Sequence, residues 1–318
     1  MIADAFKRIG RMELAAPVAV AGSPEEGYRM RARLHVRGGK FGFFREATHD
    51  LCDAGATRQL LPATIDALER LMAAIRSIGV DTVREVELSE NLDGSERVVH
   101  LEASEPIDPR LMDKLMSVEG LTAGPYVTDA IAIGDALLQL RRHVLSFFQG
   151  NRYLLSALVA HVAERVPIGS RALDLYAGVG LFSVAAAVTR GASVTAVEGD
   201  AQASEDLHAN GKTGGAMATL RAPVESLGAA GAGLMSRIPG MDFETVIVDP
   251  PRTGMSPEAI GGVLKVKAQR LVYVSCDVAT LARDARKIVD GGYGLERIDA
   301  FDMFPNTPHV ETVVAFVK

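Results

Sequence analysis

The stretch Arg171-Ala-Leu-Asp-Leu-Tyr-Ala-Gly-Val-Gly-Leu-Phe-Ser183 decides how the rest of the chain is read. A short apolar run, Ala172 to Leu175, carries one acid, Asp174. A turn of small residues follows, Ala177-Gly-Val-Gly180, and then an apolar run from Leu181 to Val188 that can wind as a helix. Strand, glycine turn and helix N-terminus together make the nucleotide-cradling unit of an open α/β sheet. Glycine suits such a turn because it tolerates a left-handed backbone and lets a ligand come close. Ser183 stands where the third glycine of G-x-G-x-x-G would be. That weakens a dinucleotide reading and leaves an adenosyl ligand without a pyrophosphate open. A second apolar strand, Val194 to Glu198, ends in an acid 24 positions after Asp174. A carboxylate at that place grips the two hydroxyls of a ribose.

With 318 residues the chain can bury a sizeable core in two domains. Hydrophobic residues make up 48% and charged residues 23%, an ordinary balance for a globular protein. No apolar run approaches the roughly 20 residues of a membrane span. The start, Met1-Ile-Ala-Asp-Ala-Phe-Lys-Arg8, is charged and helical, unlike a secretory signal. Two cysteines in unrelated contexts, Cys52 and Cys276, exclude a disulfide framework, a zinc cluster or a four-cysteine iron–sulfur site within this chain. A cytoplasmic monomer without metal is the expectation. Net charge is −6, yet Arg29, Arg31, Arg33, Arg37, Lys40 and Arg45 form a basic run interleaved with Tyr28, Phe41, Phe43 and Phe44. Distribution matters more than the sum for a polyanionic partner.

In chain order, Ile2 to Arg11 reads as a short helix and Ala15 to Pro24 as an extended link. Arg29, Arg31 and Arg33 alternate, which predicts a strand with three guanidinium groups on one face. Gly38-Gly39 turns the chain into a second strand, Lys40 to Arg45, and such a hairpin could track phosphates and stack bases. Leu61, Ile65, Leu68, Leu71, Met72 and Ile75 have helical spacing, with Pro62 at a first-turn position. Strands follow at Thr82–Leu88 and Val98–Glu102, and more between Leu121 and Leu140. Residues 1–142 thus read as a smaller α+β domain. From 143 to 318 the rhythm is alternating β and α, with strands at 171–175, 193–198, 217–221, 243–248 and 270–275. Leu295–Met303 and His309–Val317 close the sheet as an antiparallel hairpin. The run Gly228 to Gly233 reads as a loop.

Three strand ends carry chemistry. Val248 leads into Asp249-Pro-Pro-Arg252, where two prolines stiffen the loop and hold Asp249 over the crevice. Ser275-Cys276-Asp277 puts a thiol beside a helix N-terminus, where the dipole would lower its pKa. Glu311 interrupts the apolar strand Val310 to Val317, and burial there would raise its pKa toward that of a general base.

These residues resemble the S-adenosylmethionine-dependent RNA uridine-C5 methyltransferases, the family of the tRNA and 23S rRNA 5-methyluridine enzymes. The resemblance runs from Ile2 to Lys318. It rests on Ser146-Phe-Phe-Gln-Gly-Asn151, Asp174-Leu-Tyr-Ala-Gly-Val-Gly180, Asp249-Pro-Pro-Arg252, Ser275-Cys-Asp277 and His309-Val-Glu311. It implies a Rossmann-like class I methyltransferase sheet and S-adenosylmethionine as cofactor. Cys276 would be the nucleophile and Glu311 the base that removes the C5 proton. Gln149, Asp174, Tyr176, Gly178, Glu198 and Asp249 would contact the cofactor. Asp249 would also meet the target base, and Arg29, Arg31 and Arg33 the RNA. Leu181 and Pro223 depart from the polar residues the family often has there, and the chain begins downstream of the family's RNA-binding barrel and iron–sulfur cluster. The Phe-Phe-Gln and Pro-His-Val-Glu wording is nearer the ribosomal RNA members than the tRNA ones. A nicotinamide dehydrogenase and a catalytically silent RNA-binding module are the alternatives. The first has no use for Cys276 with Glu311, and the second none for five signals on one sheet edge.

Overall fold

A computed structural model describes residues 1–45, 48–228, 233–238, 240 and 242–318. It divides into two compact units that interleave in sequence. One comprises Met1–Ser23, Ala132–Leu140 and Leu154–Lys318, and the other Pro24–Ile131 with Arg141–Tyr153.

The larger unit is built on an eight-stranded sheet. Its order is Ala19–Ala21, Gly294–Phe301, Glu311–Val317, Arg270–Ser275, Thr245–Val248, Arg171–Leu175, Ser193–Glu198 and Met217–Arg221. The central strands are mostly apolar and buried along almost their whole length. That is the pattern of parallel strands covered on both faces. From Arg171–Leu175 the chain winds one way to 193–198 and 217–221, then returns to 245–248 and 270–275 on the other side. The order therefore reverses between Arg171–Leu175 and Thr245–Val248, and ligands bind outside the C-terminal strand ends at such a point. Glu311–Val317 runs antiparallel to both neighbours, pairing Thr312 with Ser275 and Glu311 with Phe301. Its first residue thus reaches the same edge as the last residues of the parallel strands.

Two differences from the sequence reading have simple causes. The link Ala15–Pro24 contains a three-residue strand, Ala19–Ala21, parallel to Asp299–Phe301. Three residues are too few to display a period. The helix Ile2–Arg8 buries Phe6 in the core that contains Ala282 and Ala285. The start of the chain therefore groups with the larger unit, where the sequence reading kept residues 1–142 together. Most of the loop read at Gly228–Gly233 lies outside the described residues.

The smaller unit carries a five-stranded antiparallel sheet, ordered Leu51–Asp53, Lys40–Phe44, Arg31–Arg37, Val83–Glu90, Arg97–Ala103. The helix Pro62–Ser77 lays Leu68, Leu71, Met72 and Ile75 on a core with Leu34, Val86 and Leu88. Its first position is Pro62, whose missing amide hydrogen would have had no helical partner. Arg142 is completely enclosed and donates to Asp129 Oδ2 at 2.6 Å, to the Ser89 hydroxyl and to the Glu90 carbonyl. Among the described residues no helix is long and apolar enough to cross a membrane.

Candidate active site

The glycine turn is shaped by backbone that other residues avoid. Tyr176, Gly178 and Gly180 have φ of +60°, +56° and +95°. A Cβ on Gly178 would meet nothing within 4 Å, so open space faces its backbone. The Gly178 amide donates to Glu198 Oε2 at 2.7 Å, and the Asp200 amide to Glu198 Oε1 at 2.6 Å. Each oxygen keeps a further lone pair, so the half-buried carboxylate can still accept two hydroxyls. Asp174 is fully buried and takes the Ser183 hydroxyl on Oδ2, while Oδ1 has no partner among the described residues. Burial, and then the negative charge of Glu198, push its pKa up to about 7. An orphaned buried oxygen calls for an explanation, and a ligand with a donor group supplies one.

Beside this crevice lie the ends of the strands Thr245–Val248 and Arg270–Ser275. Asp249 is half-buried, with its amide directed to the Leu175 carbonyl at 3.4 Å. Cys276 is half-buried and precedes the helix Val278–Asp290, whose N-cap Asp277 accepts from the Thr280 amide at 2.8 Å. The expected low thiol pKa is corrected here: the thiol is pushed up to about 11. Burial is the largest cause, and the charges of Glu311 and Asp249 add to it. The helix end that was to stabilise a thiolate is already capped by Asp277. Arg252 opposes the rise, because its guanidinium brings positive charge toward the thiol. Glu311 is 1% exposed, and its Oε1 has no partner among the described residues. Burial first, then the charge of Asp249, hold its pKa well above the usual carboxylate value, again against Arg252. Thiol, two acids and a guanidinium thus share one electrostatic site.

The pattern of the tRNA (uracil-5-)-methyltransferase family matches residues 121–318. The chain belongs to this family. It is 30% identical to the 23S rRNA (uracil(1939)-C(5))-methyltransferase of Pseudomonas putida, over 99% of this chain and 73% of that protein. It is 32% identical to the enzyme of the same description from Nitrosospira multiformis, over 100% of this chain and 78% of the relative. A solved structure, Pyrococcus abyssi tRNA (uracil-54, C5)-methyltransferase in complex with S-adenosyl-L-homocysteine, superposes with a TM-score of 0.75 at 27% identity. That match covers 99% of this chain and 82% of the other. The protein is an S-adenosylmethionine-dependent RNA uracil-C5 methyltransferase with the sheet of that enzyme class. The crevice fits the cofactor: open backbone at Gly178, spare acceptors on Glu198, and the orphaned Asp174 oxygen.

The other residues singled out from sequence fall elsewhere. Gln149 is buried in the smaller unit, within Arg141–Tyr153. Arg29 precedes the strand Arg31–Arg37, and its Nε donates to Gln59 at 2.7 Å. Arg31 is largely buried, with one guanidinium nitrogen 3.9 Å from Glu87 and a hydrogen bond to the Leu145 carbonyl. Burial, the largest influence, lowers its pKa. Arg33 is exposed but its Nε lies 2.5 Å from Glu87 and 3.6 Å from Glu85. The expectation of three guanidinium groups on one strand face is therefore corrected: Arg29 lies before the strand and Arg31 is largely buried. Period two was right for the backbone, but the neighbouring strand brings Glu85 and Glu87 against the same face. Leu181 is buried as the first residue of its helix, and Pro223 is exposed. Sequence reasoning missed Glu225, two residues on, which accepts from the Tyr176 hydroxyl at 3.2 Å. It also gave Ser183 and Arg252 no role. The position of Ser183, where a small residue was expected, was the available signal.

Proposed function

We propose that this chain methylates C5 of a uridine in 23S rRNA through a covalent adduct on Cys276. The observation that supports it is the convergence of Cys276, Glu311, Asp249 and Arg252 beside the crevice of Asp174 and Glu198. Uracil C5 is too weak a nucleophile to take a methyl unaided. Cys276 first gives its thiol proton to solvent, and addition of the resulting thiolate to C6 moves the C5–C6 electron pair toward the C4 oxygen and makes C5 enolate-like. S-adenosylmethionine, which Asp174, Tyr176, Gly178, Glu198 and Asp249 would hold, would supply the electrophilic methyl that C5 takes up. Glu311, kept from water and poorly solvated as an anion, then accepts the C5 proton. The C5–C6 double bond re-forms as the sulfur leaves with its electron pair. Asp249 is placed to hold the base, and Arg252 stabilises the sulfur as an anion. Stacked RNA hides C6, so the uridine must be unpaired or flipped out.

The smaller unit is then the RNA-recognition part and the larger one the chemical part, working in the cytoplasm. Relatives matched over the whole chain, and the Phe147-Phe148-Gln149 and Pro308-His309-Val310-Glu311 wording, favour ribosomal RNA. The likeness to the Pyrococcus abyssi enzyme favours tRNA as the second reading. Methyl incorporation into 23S rRNA fragments and tRNA, followed by mass spectrometry of the digested product, separates the two. In the same assay Cys276→Ala should form no adduct and no 5-methyluridine. Glu311→Gln should accumulate a methylated protein–RNA species that survives denaturing electrophoresis. A fully active Cys276→Ala, or methyl on a uridine nitrogen or ribose oxygen, sinks the scheme.

A further inference from the structure

A groove of about 990 Å³ lies within the smaller unit, and the proposed chemistry does not use it. Its walls are the turn Gly38-Gly39, the end of the helix Pro62–Ser77 and the start of the strand Val83–Glu90. Met72, Ile75 and Val83, all buried, give it an apolar lining. Phe44 lies flat on His35, with ring centroids 3.6 Å apart and planes 8° from parallel, and both residues line the groove. Three exposed arginines, Arg37, Arg76 and Arg84, complete it. Each is held by a backbone carbonyl: Arg37 by that of His49 at 3.2 Å, Arg76 by that of Gly39 at 2.7 Å, and Arg84 by that of Asp81 at 2.8 Å. The Arg37 guanidinium also stands 5.8 Å from the centre of the Phe44 ring.

A gap between a hairpin and a helix end is often filled by solvent alone. What distinguishes this one is fixed positive charge beside stacked rings. A carbonyl orients a guanidinium without neutralising it, and each arginine keeps donors to spare. Two acids share the lining, Asp81 and Glu85. Glu85 lies 3.0 Å from His35 Nδ1 and 3.6 Å from Arg33 Nε, so a further guanidinium offsets its charge. The last carbonyls of the helix carry partial negative charge, and those of Ala74, Ile75 and Arg76 are taken up by the amides of Ile78, Val80 and Gly79. The net charge of −6 repels a polyanion from the chain as a whole, so RNA settles where positive charge is concentrated. Guanidinium groups next to aromatic rings suit a single strand, with phosphates on the cations and a base on the rings. We propose that this groove docks a single-stranded segment of the substrate RNA, with Arg37, Arg76 and Arg84 on its phosphates and a base against the His35–Phe44 pair. The assignment rests on the RNA-recognition role proposed for the smaller unit, and it names the place and the form of RNA that the unit takes.

The test is fluorescence anisotropy with a fluorescein-labelled single-stranded oligouridylate at several salt concentrations. Each phosphate contact on a single strand contributes about 0.7 to the slope of log affinity against log salt. Replacing Arg37, Arg76 and Arg84 together by Gln should therefore flatten the slope by about 2. The triple variant should keep the parent's S-adenosylmethionine affinity in calorimetry, which separates a lost RNA contact from a damaged chain. Phe44→Leu keeps apolar bulk but loses the stack, and should weaken binding about five- to 150-fold with the slope unchanged. Should Phe44→Leu not fold, ultraviolet cross-linking of the parent to an oligouridylate carrying 4-thiouridine takes its place, with adducts expected on His35 or within residues 41–45. Adducts confined to other residues overturn the assignment. So does a parent slope in the folded triple variant. A changed oligomeric state with unchanged RNA binding overturns it too, because the groove is then a contact between copies. If the triple variant keeps the parent slope while the parent methylates RNA, the groove falls and the chemistry stands. If the slope flattens but the parent methylates no RNA, the groove stands and the proposed function falls.

Discussion

In the smaller unit Arg142 is completely enclosed and spends its guanidinium on Asp129, Ser89 and the Glu90 carbonyl, while Glu90 itself holds Arg97 and Arg152. At the edge of the larger sheet Glu311 and Asp174 are as deeply enclosed, yet each leaves one oxygen without a partner among the described residues. The first arrangement pairs each buried group with an opposite charge. The second pushes its carboxyls toward the neutral form, chiefly through burial. A buried acid left unpaired costs stability, so folding alone would not favour it. The comparison separates charge that holds the fold from charge kept for a ligand or a proton.

Breaking it from the structural side should give the largest effect. Asp129→Ala leaves the Arg142 charge enclosed without its carboxylate, and urea denaturation should show a loss of about 3–5 kcal/mol. Asp174→Asn should cost nothing at pH 7 or stabilise the fold. The pH dependence follows the same logic. Asp174 titrates near 7 in the folded chain against an ordinary 3.8. Between those values the folded state holds a proton that the unfolded chain has released, so this group's contribution to stability falls as pH rises across the window. Asp174→Asn should remove that part of the decline. A parent-like pH profile in Asp174→Asn would show that the carboxyl is ionised throughout.

A middle-sized effect should come from Glu198, which belongs to neither class. Its oxygens accept two backbone amides and remain half in solvent. With a cofactor hydroxyl as a further donor, Glu198→Ala should weaken S-adenosylmethionine binding by about 1.5–3 kcal/mol in calorimetry, the range for a charged hydrogen bond. Unchanged affinity in a folded variant would move the ribose contact elsewhere.

The contrast was half visible in the sequence. The strand Arg171–Leu175, its glycine turn and the acid-tipped Ser193–Glu198 were legible because apolar runs and glycines are local signals. Glu311 was legible as a charge interrupting an apolar strand. The helix Pro109–Met116 was missed, although Asp108-Pro109 is a start signal and Asp108 does cap it, accepting from the Arg110 amide at 2.8 Å. What could not be read locally were the long-range partners. Cys276 was correctly set before a helix, but its rise to about 11 comes from burial, Glu311 and Asp249, far apart in the chain. Asp284 looked like one acid in an amphipathic helix until Tyr273 and Met255 converged on it.

Arg33 offers the smallest and finest test, because it lies on the paired side of the comparison while still facing solvent. Its side chain is 62% exposed, and its guanidinium sits against Glu87 with Glu85 beyond. An exposed pair of this kind contributes about 0–1 kcal/mol to stability, so Arg33→Gln should melt close to the parent. A guanidinium that contacts RNA phosphate displaces counterions, and each such contact adds about 0.7 to the salt slope for single strands. If Glu87 keeps Arg33, filter binding at several salt concentrations should give Arg33→Gln the parent slope within a fraction of that value. If the slope falls by the full amount, RNA draws the guanidinium away from Glu87, and the pair is a reserve of positive charge. Glu87→Gln then decides between the two. Freed from its acid, Arg33 should strengthen RNA binding in the second case and leave it unchanged in the first.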